Sequence, residues 1–282
     1  MRFQNNRSTI LGSDGNLINI PIGKEKEEKV EKQLKRGYSN DVTLYGTITE
    51  VFRTNYNVSF GLAVQFENDA LQNNYPKVIF YESANGRTRI DTLVQNFTPG
   101  TFVKVECHIQ TIQDYANTEK RVPYQTIVGD AIEKVLPEYV PDKRNRVMLS
   151  GYVANIRQPR SHMGMVRLTL LTKRNYHESH VHCLIYTNDV DDFMDKVREK
   201  DFLYTIGTIE TRRVTSNGRW SIFEDYAIKE IYKENRDTRK ARLLYDQKKE
   251  EARSKMKQES ERKELDFSKS PNTAITVEES DQ

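Results

Sequence analysis

Four short segments of this chain set cationic side chains beside flat rings. They are Phe52-Arg53-Thr54-Asn55-Tyr56, Asp114 to Arg121 with Tyr115, Lys120 and Arg121, Arg157 to Met163 with Arg157 and Arg160, and Arg212 to Trp220 with Arg212, Arg213, Arg219 and Trp220. Guanidinium and ammonium groups neutralise phosphates, and aromatic faces stack on unpaired bases, so this pairing of types suits a single strand of nucleic acid. Arg167, in a neighbouring alternating segment, joins the set by parity, as do Tyr45, Tyr81 and Tyr152, all pointing away from the inferred core positions.

Other chemistries find less support. His180 and His182 in His177-Glu178-Ser179-His180-Val181-His182-Cys183 would share a strand face, as metal pairs can, but no second cluster supplies partners and the spacing is wrong for a zinc-protease helix. The sequence carries no Walker loop, dinucleotide glycine fingerprint or nucleophile elbow. A binding protein is expected rather than an enzyme, with no cofactor and no metal.

Composition bounds the rest. Charged residues make up 30% of the 282 and hydrophobic ones 36%, so part of the length is expected to stay outside a core. The longest apolar runs, such as Val78 to Tyr81, are too short to cross a membrane, and Met1 to Asn6 does not resemble a signal peptide, so a cytoplasmic protein is expected. Cys107 and Cys183 are far apart and fit a reduced compartment. Net charge is +3, and basic against acidic residues number 8 to 10 over residues 42–135 and 12 to 11 over 147–231. Neither half is a basic domain, so any phosphate contacts must be arranged locally.

The elements that would position these residues come from an internal repeat. Val42, Leu44, Gly46, Ile48 and Val51 match Val147, Leu149, Gly151, Val153 and Ile156, an offset of 105 residues. Alternation at period two marks this segment as a strand in both copies. Second strands follow at Val58–Val64 and Val166–Leu170, third strands at Lys77–Tyr81 and Val181–Tyr186, and helix-compatible stretches at Arg89–Asn96 and Val190–Lys200. Fourth strands at Phe102–Ile112 and Phe202–Thr211 precede closing strands near Tyr124–Glu133 and Trp220–Lys229.

Three strands, a helix and two strands is the order of the OB-fold, a five-stranded Greek-key barrel. The first-strand glycine suits a long strand that must bend to serve two sheets. An all-β core of two tandem OB-fold barrels with charged helical flanks is therefore expected. Phe60, Phe66, Phe80 and Phe102 belong to its core on this reading, while Trp220 could stack on a base or plug a barrel end.

With Gly46-Thr47-Ile48-Thr49-Glu50-Val51 opening the first copy and Asp130-Ala131-Ile132-Glu133 closing it, the sequence resembles bacterial single-stranded DNA-binding proteins. Its tandem layout is more similar to replication protein A or to certain phage-encoded single-strand binders. The resemblance covers roughly residues 42–232. It implies single-stranded DNA as the ligand and a role in DNA replication, recombination or repair. RNA is not excluded, because the 2′-hydroxyl is sensed by fine geometry. A protein-interaction or scaffold module built on the same barrels is the alternative; the near-neutral charge favours it and the basic–aromatic loops oppose it.

The expected organisation is an N-terminal extension with a charged helix (1–37), a first barrel (38–136), a linker (137–146), a second barrel (147–232), a charged helix (233–266) and a disordered acidic tail (267–282). The linker is stiffened by Pro137 and Pro141, and Lys143, Arg144 and Arg146 could follow a phosphate backbone. Acidic tails recruit partner enzymes in the bacterial family, which implies replication or recombination proteins as partners. The tail here lacks the family's terminal Pro-Phe, which puts that recruitment in doubt.

Overall fold

The computed structural model describes residues 7–11, 17–21, 30, 32–33, 37–66, 73–82, 89–112, 124–159, 164–174, 177–216 and 219–268. A hairpin of β1 (Arg7–Leu11) and β2 (Leu17–Pro21) comes first. The first barrel follows as β3 (Ser39–Arg53), β4 (Asn57–Gln65), the short β5 (Asn73–Asn74), β6 (Lys77–Tyr81), α1 (Ile90–Asn96), β7 (Phe102–Ile112) and β8 (Tyr124–Lys134). After a 3-10 turn at Pro137–Tyr139, the second runs β9 (Asn145–Arg157), β10 (Met165–Arg174), β11 (His177–Tyr186), α2 (Val190–Lys196), β12 (Phe202–Ser216) and β13 (Arg219–Lys233). A long helix, α3 (Arg236–Ser268), ends the described chain.

Each barrel closes in the same way. β3 pairs with β4 and β7, β4 with β6, β7 with β8, and β6 with β8 in parallel. β9, β10, β11, β12 and β13 repeat every one of those pairings, including the parallel closure of β11 on β13. This is the Greek-key closure of the OB-fold. The inward side of each strand is apolar: Leu44, Phe60, Leu62 and Val105 in one barrel and Leu149, Leu168, Leu170 and Ile209 in the other are fully buried. Ile90 of α1 and Phe193 of α2 are buried against these interiors. Asp189 caps α2 by accepting the N–H of Asp192 at 2.9 Å.

Two devices bend the first strand. Thr49 and Ala154, equivalent in the repeat, are skipped in the ladders of β3 with β4 and β9 with β10, which makes a bulge in each. Gly46 and Gly151 let the neighbouring strand come close, since a Cβ would lie 2.6 Å from the Ala63 carbonyl oxygen and 2.3 Å from that of Leu171.

The barrels are joined by a strand pair. β3 and β9 run antiparallel, with Val42 opposite Val147, Asn40 opposite Leu149 and Leu44 opposite Asn145. Because Val42 and Val147 are repeat equivalents, the contact is self-complementary about a pseudo-twofold axis, as between identical subunits. A continuous ladder of strands therefore links the two halves.

The flanks add what the sequence pattern did not foretell. β1 pairs with β13, placing Thr9 opposite Ile231, so part of the N-terminal extension is sheet. Of the charged helix expected in the N-terminal extension, whose charged run Lys24 to Arg36 would form it, only 30, 32 and 33 are described, and they are helical. Residues 269–282, most of the expected acidic tail, lie outside the described residues. The linker region is held to the first barrel, with the Tyr45 N–H donating to the Arg144 carbonyl at 2.8 Å and the Arg144 guanidinium to Gln65.

Candidate nucleic-acid interface

In an OB-fold, ligands cross the second and third strands. Here those are β4 and β6, then β10 and β11. The register defines rows across each outer face: Phe52, Ser59 and Ile79, then Glu50, Gly61 and Lys77, in the first barrel. The corresponding rows in the second are Arg157, Arg167 and Leu184, then Asn155, Thr169 and His182. Tyr81 and Tyr186 occupy the same place at the strand ends, opposite Asn57 and Met165.

On the first face Phe52 is 61% exposed and Tyr56 77% exposed. Tyr56 sits at the turn between β3 and β4, which Thr54 pins by accepting the N–H groups of Tyr56 and Asn57 at 3.2 and 3.1 Å. The Lys77 ammonium lies 5.6 Å from the Phe52 ring centroid, a cation–π contact that leaves much of the ring uncovered. Arg53 reaches Asp91 of α1 at 2.6 Å, so its charge is already paired.

The second face is cationic. Arg157 and Arg167 are register partners on β9 and β10, both exposed, and no carboxylate among the described residues lies within ion-pair distance of either. His182 shares a hydrogen bond with Thr169 at 3.2 Å. Its pKa is lowered, first by partial burial and then by the charges of Arg157, His180 and Arg167, with Asp225 opposing. Among the described residues no group of three metal-ligating side chains assembles around His180 and His182.

Each face borrows a neighbour from the other barrel. The Tyr75 N–H donates to the Thr211 hydroxyl at 2.9 Å and the Lys77 N–H to Glu224 at 2.5 Å. In reverse, Thr111 donates to the His180 carbonyl at 2.8 Å, and the His182 N–H to Gln125 at 2.8 Å. The β12–β13 arm thus borders the first face and brings Phe223, with Arg212 stacked 5.1 Å from its ring and paired to Asp225 at 2.6 Å.

The sequence-predicted residues fall into three groups. Arg53, Tyr56, Arg157, Arg167 and Arg212 are exposed on or beside the two faces. Arg213, Arg219 and Trp220 are placed by strand register alone, opposite Ile222, Ser216 and Thr215. Tyr115, Lys120, Arg121 and Arg160 lie outside the described residues. Phe60 and Phe80 are core, as expected.

Two parity-based expectations need correction. Tyr152 is not on the ligand face, because its hydroxyl accepts from Arg242 of α3 at 2.9 Å and its ring packs on Phe202. Tyr45 lies where β3 pairs with β7, opposite Lys104, before the part that meets β4. Both residues precede the bulges at Thr49 and Ala154 and lie opposite the core positions as parity predicts, but parity does not tell which part of the outer surface a residue joins, and that of Tyr152 is covered by α3 and Phe202. Strand pairing, not spacing along the chain, puts Lys77, Tyr186, Phe223 and His182 on the faces, so the sequence marks none of them as an interface residue and His182 only as a metal candidate.

No protein-family model matches the sequence, and no curated protein does so significantly. Solved structures do. The wild-type single-stranded DNA-binding protein of Thermus aquaticus is 17% identical, with a TM-score of 0.51, covering 71% of this chain and 95% of its own. A deletion variant of the same protein gives 18% identity and a TM-score of 0.51, covering 71% and 96%. These likenesses, with the two matching sets of strand pairings, establish the tandem OB-fold.

Proposed function

We propose that this protein binds single-stranded DNA, largely without regard to sequence, along the outer faces of both barrels. The observation that carries this reading is the exposed aromatic–cation chemistry on those faces, with Phe52 under Lys77 on one barrel and Phe223 under Arg212 at its border. Flat exposed rings serve any base, and Arg157 and Arg167, which have no carboxylate partner among the described residues, serve any phosphate. The fold shared with a Thermus aquaticus protein that binds single strands supports the same ligand. Covering unpaired strands during replication, recombination or repair is the role that follows, without catalysis, in the cytoplasm. The segment after α3 would recruit replication or recombination proteins.

Fluorescence-anisotropy titrations with equal lengths of oligo-dT, duplex DNA and single-stranded RNA test the reading. Preference for oligo-dT over duplex, with affinity falling as salt rises, is the expected result. Preference for duplex, or no salt dependence, would overturn it.

A further inference from the structure

The repeat puts different chemistry at equivalent positions of the two faces. Phe52 is replaced by Arg157, the buried Ser59 by Arg167, Tyr75 by His180, Lys77 by His182 and Glu50 by Asn155. The first face therefore holds exposed rings with one acid and one lysine. The second holds two arginines facing each other with two histidines beside them, and its exposed tyrosine, Tyr186, sits at the strand end.

The ion pairs sharpen that contrast. The carboxylates bordering the second face are already matched, Asp225 to Arg212 at 2.6 Å and Glu210 to Lys229 at 3.1 Å. Arg157 and Arg167 have no such partner among the described residues, and after partial burial they lower the pKa of His182 together with His180, against Asp225. Two guanidinium groups held across a strand pair and left unneutralised repel one another unless an anion lies between them. On the first face the arginine that could do the same work, Arg53, is spent on Asp91.

Resting on the proposed single-strand binding, we infer that the barrels divide the ligand by chemistry: the first stacks its bases on Phe52 and Tyr56, and the second grips its phosphates with Arg157 and Arg167. Binding to the second face then depends chiefly on backbone charge, while binding to the first depends chiefly on bases.

An abasic deoxyribose-phosphate oligomer, which has every phosphate and no base, separates the two. Titrations would use the full chain, the abasic oligomer and oligo-dT of equal length, across a salt series. The R157A/R167A variant is expected to abolish abasic binding and to flatten the oligo-dT log–log salt slope by about 1.4, at about 0.7 for each of two phosphates no longer neutralised. R157K/R167K should restore most of that slope, which a merely structural role would not predict. The F52A/Y56A variant should bind the abasic oligomer as the parent does and keep its slope. It should weaken oligo-dT by at least about 5-fold, the lower end for removing one ring from beneath a base. All four residues are exposed, and matching thermal melts would establish that the variants fold. If the parent binds oligo-dT but the two Ala variants change slope and abasic affinity alike, the division of labour is wrong while single-strand binding stands. If the parent binds neither oligomer, both fall together.

Discussion

Glu224 on β13 accepts the backbone N–H of Lys77 on β6, and Gln125 on β8 returns the contact by accepting the N–H of His182 on β11. One bond is made twice across the pseudo-twofold axis, once by an acid and once by an amide. Burial raises the Glu224 carboxyl from 4.5 to about 7, against the opposing pull of the Lys77 N–H and ammonium. The folded protein thus holds this proton more tightly than the unfolded chain does. Its contribution to stability is fully present below pH 4.5 and is lost as pH rises through about 7. Up to about 3 kcal/mol is at stake. Replacing the acid with the amide its counterpart already uses, E224Q, should remove that part of the pH dependence. Urea melts at pH 5 and pH 8 decide the matter, and equal drops in stability for parent and variant would refute it.

Asn145 offers a sharper test of the fold. Its amide donates to the Ile209 carbonyl at 2.7 Å and accepts the Ile209 N–H at 2.9 Å, standing in for a missing strand neighbour. Asn40 does the same to Ile109, at 2.6 and 2.9 Å. Both are buried. N145A leaves a buried N–H and C=O without partners, a cost of about 2–4 kcal/mol. N145D keeps the acceptor but faces a carboxylate with a carbonyl oxygen, so it should be no better. Chemical unfolding of the two variants measures both effects, and an N145A cost under about 1 kcal/mol would count against the bridge.

How much of this was legible in the sequence follows from what each feature depends on. Period-two alternation and the repeated glycine carry information along the chain, so strand order and the boundaries of β6, β7 and α1 could be read from it. The β1–β2 hairpin has turn-forming sequence in Gly12-Ser13-Asp14-Gly15-Asn16 but no counterpart in the second copy, so the repeat carries no information about it. The site was legible by type and not by place. Arg157 and Arg167 stood out as cations, yet only the β9–β10 register makes them neighbours. Arg53 and Arg212 looked equivalent to them, but their pairing with Asp91 and Asp225 depends on folding. Asn40 and Asn145 gave no signal, since a buried amide replacing a strand bond looks like any polar residue at a strand start.

Lys200 carries a backbone cost that its counterpart avoids. The turn before the fourth strand puts Gly100 at φ 89° in one barrel and Lys200 at φ 70° in the other. The reason is shared, because the Gly100 N–H must reach the Ile48 carbonyl and the Lys200 N–H that of Val153, each at 2.8 Å. A left-handed conformation costs an ordinary residue about 1–2 kcal/mol, and glycine recovers most of it less its own unfolded-state entropy. K200G is expected to stabilise the chain by about 0.5–1 kcal/mol, visible as a higher melting temperature. A lower one would show that the lysine side chain contributes more than the strain removes.

A buried cation anchors α3 to the second barrel. Arg242 is the largest fully buried side chain among the described residues, an unusual position for a charge. Its guanidinium lies 4.1 Å from the Phe202 ring centroid and 5.2 Å from that of Tyr152, while Nε reaches Glu234 at 2.7 Å and Nη2 the Tyr152 hydroxyl at 2.9 Å. Tyr38 completes the aromatic wall by packing edge-on against Tyr152 and Phe202. A planar fork suits such a slot and a lysine does not, since one ammonium cannot stack on a ring and also reach both oxygen partners. R242A would leave Glu234, only 6% exposed, as an unpaired buried acid, which costs about 3–5 kcal/mol. The destabilisation should fall first on the helix junction. Limited proteolysis should then cut R242A near residues 234–245 under conditions that spare the parent, and R242K should be cut at a rate between the two. If R242A resists cleavage as the parent does, the helix is held by other contacts and the buried arginine is not its anchor.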